Sequence, residues 1–595
     1  MKKMIRERMT ILREAMKKVG IDAYIIPSSD PHMSEYVPER WKSRQWLSGF
    51  TGSAGTLVVT AGKAGLWTDS RYFLQATGQL EDTGIDLYRM ALPETPTVTD
   101  FILYELKKGS TVGLDGQTYS AADARTLTNV LNKRGLALNT SVDLIDDIWK
   151  DRPPAPQSKL FELPVGMAGR SVRDKLDEVN NRLLHAGADC LVLCALDEIA
   201  WTFNIRGNDV AYNPVVVSYA FVSENETVLF IHPGKLTPDI SGRLKKEGVA
   251  LAGYTEIAPY LSRLPEGTRI FVDMNRTNAA LFHAIPSGCD VIEGITPANR
   301  LKSIKNETEI EGFRHALVKD GVALTRFYIW LERQMATGGM VTELSAAEKL
   351  TSLRAGQPLY ISDSFNTISG YAGHGAIVHY NATPETDATL KPEGLFLMDS
   401  GGQYMDGTTD ITRTVCLGEP IEAMKKDFTR VLKGHICLAK CKFPAGTRGS
   451  QLDILARKAL WDSGIQYMHG TGHGIGHCLN VHEGPQSIRM EENPVVLQPG
   501  MVLSNEPGMY RINEYGIRTE NMMAVREDSE TEYGKFLSFE TLTLCYMDTR
   551  LVMASMLSVR ERLWLNNYHQ TVYEKLSPHL AKEEAEWLKG KTKEI

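Results

Sequence analysis

Charged and apolar residues alternate at helical spacing from the start of the chain to about Lys18, which predicts an amphipathic helix. Residues 20–26 then read as a turn followed by a strand, and strand signals recur at 55–59 and 65–67. Helical stretches follow at 72–79, 98–108 and 121–133, so the first domain is expected to alternate α and β. Residues 152–158, rich in proline, suit neither a helix nor a central strand and read as a linker.

The pattern beyond this linker repeats the one before it. Residues 187–193 parallel 20–26, and 201–207 parallel 46–52. Each segment has a late strand ending on an acid, Asp115 in the first and Asp273 in the second. A duplicated α/β module is therefore expected. A second boundary falls near 300–305, where Asn306 with Glu309 offers a capping box for a long helix running to about Met335 and stopping at Gly338. The domains expected are 1–155, 156–304 and 305–595. Within the last, a helix opened by Ser450 with Asp453 leads to a histidine loop, 536–544 is a strand, and 557–588 is a helical tail packed through Leu563, Trp564, Tyr568, Val572 and Leu576.

Composition narrows the function classes. A chain of 595 residues calls for more than one core, and a net charge of -7 without a basic stripe argues against nucleic acid as the main partner. No apolar run is long enough for a membrane span, and the first residues mix both charge signs where a signal peptide needs an apolar core. The eight cysteines are scattered without a C-x-x-C pair. The close pairs, Cys190 with Cys194 and Cys437 with Cys441, read as buried thiols and not as bridges or zinc ligands, and a reducing cytoplasm fits best.

The chemistry concentrates between 399 and 520. An apolar run ends on Asp399, and the alternating stretch 408–415 places Asp410 on one face with Thr408, Thr412 and Thr414. Neighbouring antiparallel strands would set the two acids side by side, which requires a shared proton or a cation. The run 469–477 alternates glycine with histidine and lets the backbone fold closely around His473. Glu506 closes a strand before Pro507-Gly508, and 516–522 reads as one more alternating strand with Arg518 and Glu520 on one face. Four carboxylates and an imidazole suit Mn, Co, Fe or Zn, with no thiolate in the set. Each residue alone is more often a solvated strand end or a packed core group; five in this order are not.

In that order and setting, Asp399, Asp410, His473 within His-Gly-Thr-Gly-His-Gly, Glu506 within Asn-Glu-Pro-Gly and Glu520 within Arg-Thr-Glu-Asn resemble the five ligands of the pita-bread metallopeptidases. The likeness is greatest to the long, three-domain cytosolic Xaa-Pro aminopeptidases and extends to 67–73 and 564–569. It implies two related α/β domains of creatinase/prolidase N-terminal type ahead of a pita-bread catalytic domain. It also implies two divalent ions, manganese above zinc or cobalt, bridged by Asp410 and Glu520, with Asp399 on one ion and His473 and Glu506 on the other. Such a pair would ionise a shared water for attack on the bond before a penultimate proline. Glu506 would carry the proton. His379, His469 and His482 match the family's catalytic and substrate-contacting histidines, and Arg71 matches a position that reaches the peptide. Arg518 would orient the ligand carboxylates. His374 and His477 match no ligand position and read as non-catalytic.

The resemblance further implies a homodimer acting on peptides, with no nucleic acid or membrane partner. A prolidase would carry nearly the same metal set, but the paired front domains favour the aminopeptidase. Methionine aminopeptidases lack those domains. A pita-bread protein reduced to a binding module would have lost ligands, and none is missing here.

Overall fold

The computed structural model describes residues 2–595, which form two compact units. One comprises the chain up to 163 together with 170–298; the other comprises 164–169 together with 299–595.

In the first unit two six-stranded sheets have one strand order. Counted along the chain within each sheet, the strands lie fourth, third, second, first, fifth, sixth. The first strand of each is almost wholly apolar, Ala23–Pro27 in one and Cys190–Leu193 in the other. Each pairs antiparallel with the next strand and parallel with a later one. Burial on both faces accounts for their unbroken hydrophobic sequence. The later strands, Thr111–Leu114 and Arg269–Val272, run into the acids that mark the repeat. Asp115 and Asp273 make the same turn, each accepting the backbone N–H two residues on, from Gln117 at 2.9 Å and Asn275 at 3.0 Å. The opening helix, Lys2–Val19, lays Ile5, Met9, Leu12 and Met16 onto the first sheet's core. Residues 152–160 have no helix or strand.

The longest helix of the second unit is Glu307–Thr337, whose Asn306 and Glu309 form the capping box and whose C-cap, Gly338, has φ of 71°. Its inner face packs Phe327, Tyr328 and Leu331 against Phe396, Met398 and Val415 of the central strands. Two sheets frame the site. The strands Ile368–Tyr371, Leu395–Ser400 and Ile411–Cys416 form one antiparallel set. The other is six-stranded, in the order Lys442–Pro444, Gly534–Thr541, Asn521–Thr531, Val502–Asn505, Gly472–Gly474, Glu483–Ile488.

Several elements differ from the sequence expectation. The stretch 516–522 is two strands in two sheets: Tyr515–Arg518 pairs with Gly508–Arg511, while Asn521–Thr531 joins the six-stranded sheet. Thr519 and Glu520 form the crossing, held by Thr519 N–H on Pro507 O at 3.2 Å and Glu520 N–H on Thr412 O at 3.1 Å. The stretch 408–415 is likewise broken, with Ile411–Cys416 beginning after Asp410. The helix before the histidine loop is Gly449–Trp461, and its capping-box carboxamide comes from Gln451, not Asp453, which is buried and salt-bridged to Arg457. The tail is two helices, Val559–Leu576 and Lys582–Lys591. Leu563 points outward, and Leu565 takes its place against the core beside Tyr568, Val572 and Leu576.

Candidate metal centre

Asp399 is the fifth residue of Leu395–Ser400, every residue of which is buried, and its register partner is Thr412. Asp410 lies two residues before Thr412, at the entry to the neighbouring strand. The backbones meet too closely here for a side chain: a Cβ on Gly401 would stand 1.9 Å from Thr409 O. His473 is the middle residue of Gly472–Gly474. A Cβ on Gly472 would meet Ser504 O at 2.0 Å, and one on Gly474 would meet Glu483 O at 2.3 Å. Alternating glycines thus serve close strand packing around the imidazole. Ser504 Oγ accepts the His473 N–H at 3.0 Å and donates to Glu506 Oε1 at 3.3 Å. Glu506 is fixed by its own N–H on Thr471 O at 2.8 Å. Glu520 accepts from Thr412 Oγ1 at 2.8 Å.

These elements bring the donors together. One donor atom each from Asp410, His473 and Glu520 lies within 4.8 Å of the others. His473 Nε2 is 3.4 Å from Asp410 Oδ2 and 3.5 Å from Glu506 Oε1. Asp399 Oδ2 accepts from Arg518 Nη2 at 2.6 Å. Among the described residues, Asp399 Oδ1 and Asp410 Oδ1 are buried carboxylate oxygens without a hydrogen-bond partner. Burial and mutual repulsion push Glu506 up to about 7 and hold Glu520 well above the usual carboxylate range. Burial also raises Asp399 despite Arg518. Burial opposes charge on His473, yet its hydrogen bond to Asp410 and the charge of Glu506 bring it to about 9. Four crowded carboxylates with two idle oxygens form a site short of positive charge, and hard divalent cations fit that donor set.

Residues 311–527 match metallopeptidase family M24 and 535–595 its C-terminal region, while 8–148 and 151–309 each match a creatinase/prolidase N-terminal domain. Over 634 residues the chain is 41% identical to aminopeptidase P2 of Arabidopsis thaliana, an alignment covering 100% of this chain and 89% of that one. The chain belongs to the aminopeptidase P group of family M24. The crystal structure of the X-prolyl aminopeptidase of Caenorhabditis elegans, described as a cytosolic enzyme with a di-nuclear active site, is similar with a TM-score of 0.96 and 35% identity. That match covers 99% of this chain and 100% of that one.

The remaining candidates lie on several different elements. His482 sets its ring perpendicular to His473, with centroids 4.3 Å apart. The next residue, Glu483, is buried between Lys302 at 2.8 Å and Lys305. His469 reaches the OH of Tyr510 with Nε2 at 2.8 Å, and the same OH accepts from Arg518 Nη1 at 2.8 Å. Arg518 therefore joins Asp399, Thr412 and Tyr510. Its Nη2 also approaches Val378 O, the residue before His379, at 3.4 Å. Arg71 belongs to the first unit, where Asp69 engages its guanidinium with two hydrogen bonds of 2.8 Å. His477 bonds Asp406 O at 3.0 Å and packs edge-on to Phe313, a packing role. His374 faces Glu343.

Tyr510, Ser504, Thr412 and Arg413 were not legible as site residues. Arg413 donates to Glu520 O at 2.6 Å and to Asn521 Oδ1 at 2.8 Å, bracing the crossing from behind. Tyr510 could have been found from the hairpin: the register sets Tyr510 opposite Gly516 and Gly508 opposite Arg518, so Tyr510 and Arg518 share a face.

Proposed function

We infer that this protein is a metal-dependent Xaa-Pro aminopeptidase whose two divalent ions are held by Asp399, Asp410, His473, Glu506 and Glu520. The observation that carries this is the convergence of three buried acids, the half-buried Glu506 and one imidazole, with two carboxylate oxygens left unpartnered. Asp410 and Glu520, at the strand entry and the crossing, would bridge; Asp399 would serve one ion, and His473 with Glu506 the other. Bound there, the ions would supply Lewis-acid polarisation and a water of lowered pKa.

The chain's own groups do the rest. Glu506, beside the attacking water, takes its proton and delivers it to the departing proline nitrogen. His379 and His482 donate to substrate carbonyls and to the oxyanion, and His469 stands near the proline pocket. Arg518 fixes Asp399 through one carboxylate oxygen and leaves the other unpartnered for an ion. Manganese as the native metal, a homodimer joined through the catalytic unit and residence in the cytoplasm complete the proposal, all resting on the family resemblance. Among the described residues no helix is long and apolar enough to cross a membrane.

Digestion of Arg-Pro-Pro, of a matched peptide without proline at position two, and of an Xaa-Pro dipeptide, each with manganese, zinc or no metal, tests the reading. Release of the first residue from Arg-Pro-Pro alone, dependent on metal, is the expected outcome; an intact Arg-Pro-Pro under every metal overturns it. Metal analysis of the purified protein and its mass in solution test the manganese pair and the dimer.

A further inference from the structure

The segment 371–388 carries His379 and leaves the strand Ile368–Tyr371 through a short 3-10 turn, Ala372–Ala376. On one side it touches the metal centre. The turn lies so close to the strand Tyr515–Arg518 that a Cβ on Gly516 would stand 1.7 Å from Gly375 O, and Val378 O meets the guanidinium of Arg518. On its other side the segment converges on a single carboxylate. Glu343, the first residue of the helix Glu343–Ala355, is fully buried. Its Oε1 accepts the Tyr371 N–H at 2.8 Å and faces His374 Nδ1 at 2.9 Å. Its Oε2 accepts from the Tyr380 OH at 2.9 Å and the Ala388 N–H at 3.0 Å, and lies 3.0 Å from the same His374 nitrogen. His374 and Tyr380 stack, with centroids 4.5 Å apart. The Glu343 N–H returns a bond to Ala388 O at 3.0 Å, and Asp387 caps the next residue, Leu344, at 3.0 Å.

Four donors spread over eighteen residues of chain thus end on one side chain, and the two at 374 and 380 bracket His379. A buried carboxylate that accepts several hydrogen bonds holds its donors far more firmly than a solvated one, because each broken bond leaves a desolvated charge behind. We propose that Glu343 is a positioning residue for the peptidase reaction: it clamps the segment 371–388 against Arg518 and so aims His379 at the substrate. This rests on the aminopeptidase reading of the site. Glu343 touches neither a metal-ligand side chain nor, by this proposal, the substrate; it acts through His379. Its effect therefore belongs to the transition state that His379 contacts more than to ground-state binding.

The test is a double-mutant cycle on the full chain loaded with manganese, with Arg-Pro-Pro as substrate. Glu343→Gln in the wild-type background is expected to lower kcat at least tenfold while KM moves less than threefold and both metal ions are retained. In a His379→Ala background the same substitution is expected to change kcat less than twofold. A merely structural role would cost as much in both backgrounds, and equal effects, or an unchanged kcat in the first, overturn the proposal. Should Glu343→Gln fail to fold, Tyr380→Phe removes one clamp bond and keeps the ring. It is expected to lower kcat about threefold, again only when His379 is present, and equal effects in the two backgrounds overturn the proposal. A wild-type protein that leaves the peptide intact would sink the aminopeptidase reading, whereas an active wild type with an indifferent Glu343→Gln sinks only the clamp.

Discussion

Tyr510 ties two parts of the site that are far apart in sequence, since one phenol oxygen meets both His469 and the arginine that holds Asp399. Removing that oxygen leaves a buried guanidinium N–H and an imidazole without their shared partner, a loss of about 1 to 3 kcal/mol. Tyr510→Phe is accordingly expected to lower kcat/KM by about tenfold or more with the metal content unchanged, measured by steady-state kinetics beside metal analysis. The acids and His473 were legible because few roles explain carboxylates at the lips of apolar strands. Tyr510 and Glu343 were not, because a tyrosine in a hairpin or a glutamate in a first helical turn has many ordinary reasons to be there. Their roles depend on which distant backbone comes to rest beside them.

Among the elements, those with local causes read well from the sequence. The helix Glu307–Thr337 has its cap, its apolar face and its terminal glycine within its own residues. The broken strand at 519–520 did not, because alternation continues through it. What interrupts it is a hydrogen bond from Glu520 N–H to Thr412 O, a partner more than a hundred residues away. Close backbone packing is the other non-local cause. An alanine at 472 would drive its methyl against Ser504 O, where the backbone has no room to retreat without moving His473. Gly472→Ala is expected to weaken manganese binding at least tenfold, as followed by titration of the metal-free protein, while Gly590→Ala, in open space, is expected to leave it unchanged.

At the scale of the molecule, the duplicated front half was readable because each copy repeats a strand, a turn and an acid. The two-sheet frame of the catalytic unit was not readable, since its strands are paired out of sequence order. The acid-rich centre makes the fold sensitive to metal. Because bound ions relieve repulsion that the unfolded chain does not suffer, chelation is expected to lower the thermal midpoint as well as to abolish cleavage. Added manganese should restore both, as calorimetry and peptide digestion would record.

Acid should destabilise the protein through two buried histidines. His435 and His569 are fully buried, and burial, helped by the charge of Arg413, depresses them to about 3 and about 4 from the ordinary 6.5. Their neutral forms therefore stabilise the fold fully above pH 6.5, and that stability is lost as pH falls from 6.5 to about 4 for His569 and to about 3 for His435. The loss is up to about 1.4 kcal/mol per unit for each histidine. His569 Nε2 accepts the Met547 N–H at 3.1 Å. His569→Gln, which keeps an acceptor there, is expected to flatten the urea-unfolding free energy over that pH range.

The placement of Glu520 beyond the hairpin Gly508–Arg518 also sets an order of events during synthesis. The carboxylate lies 121 residues past Asp399, so a ribosome adding roughly 5 to 20 residues per second emits the first acid several seconds or more before the last. Until then the nascent polypeptide has only part of the proposed ligand set and lacks the strand Asn521–Thr531 of the six-stranded sheet. A cation held by all five of the proposed side chains can therefore bind only after the polypeptide has been extended past residue 520.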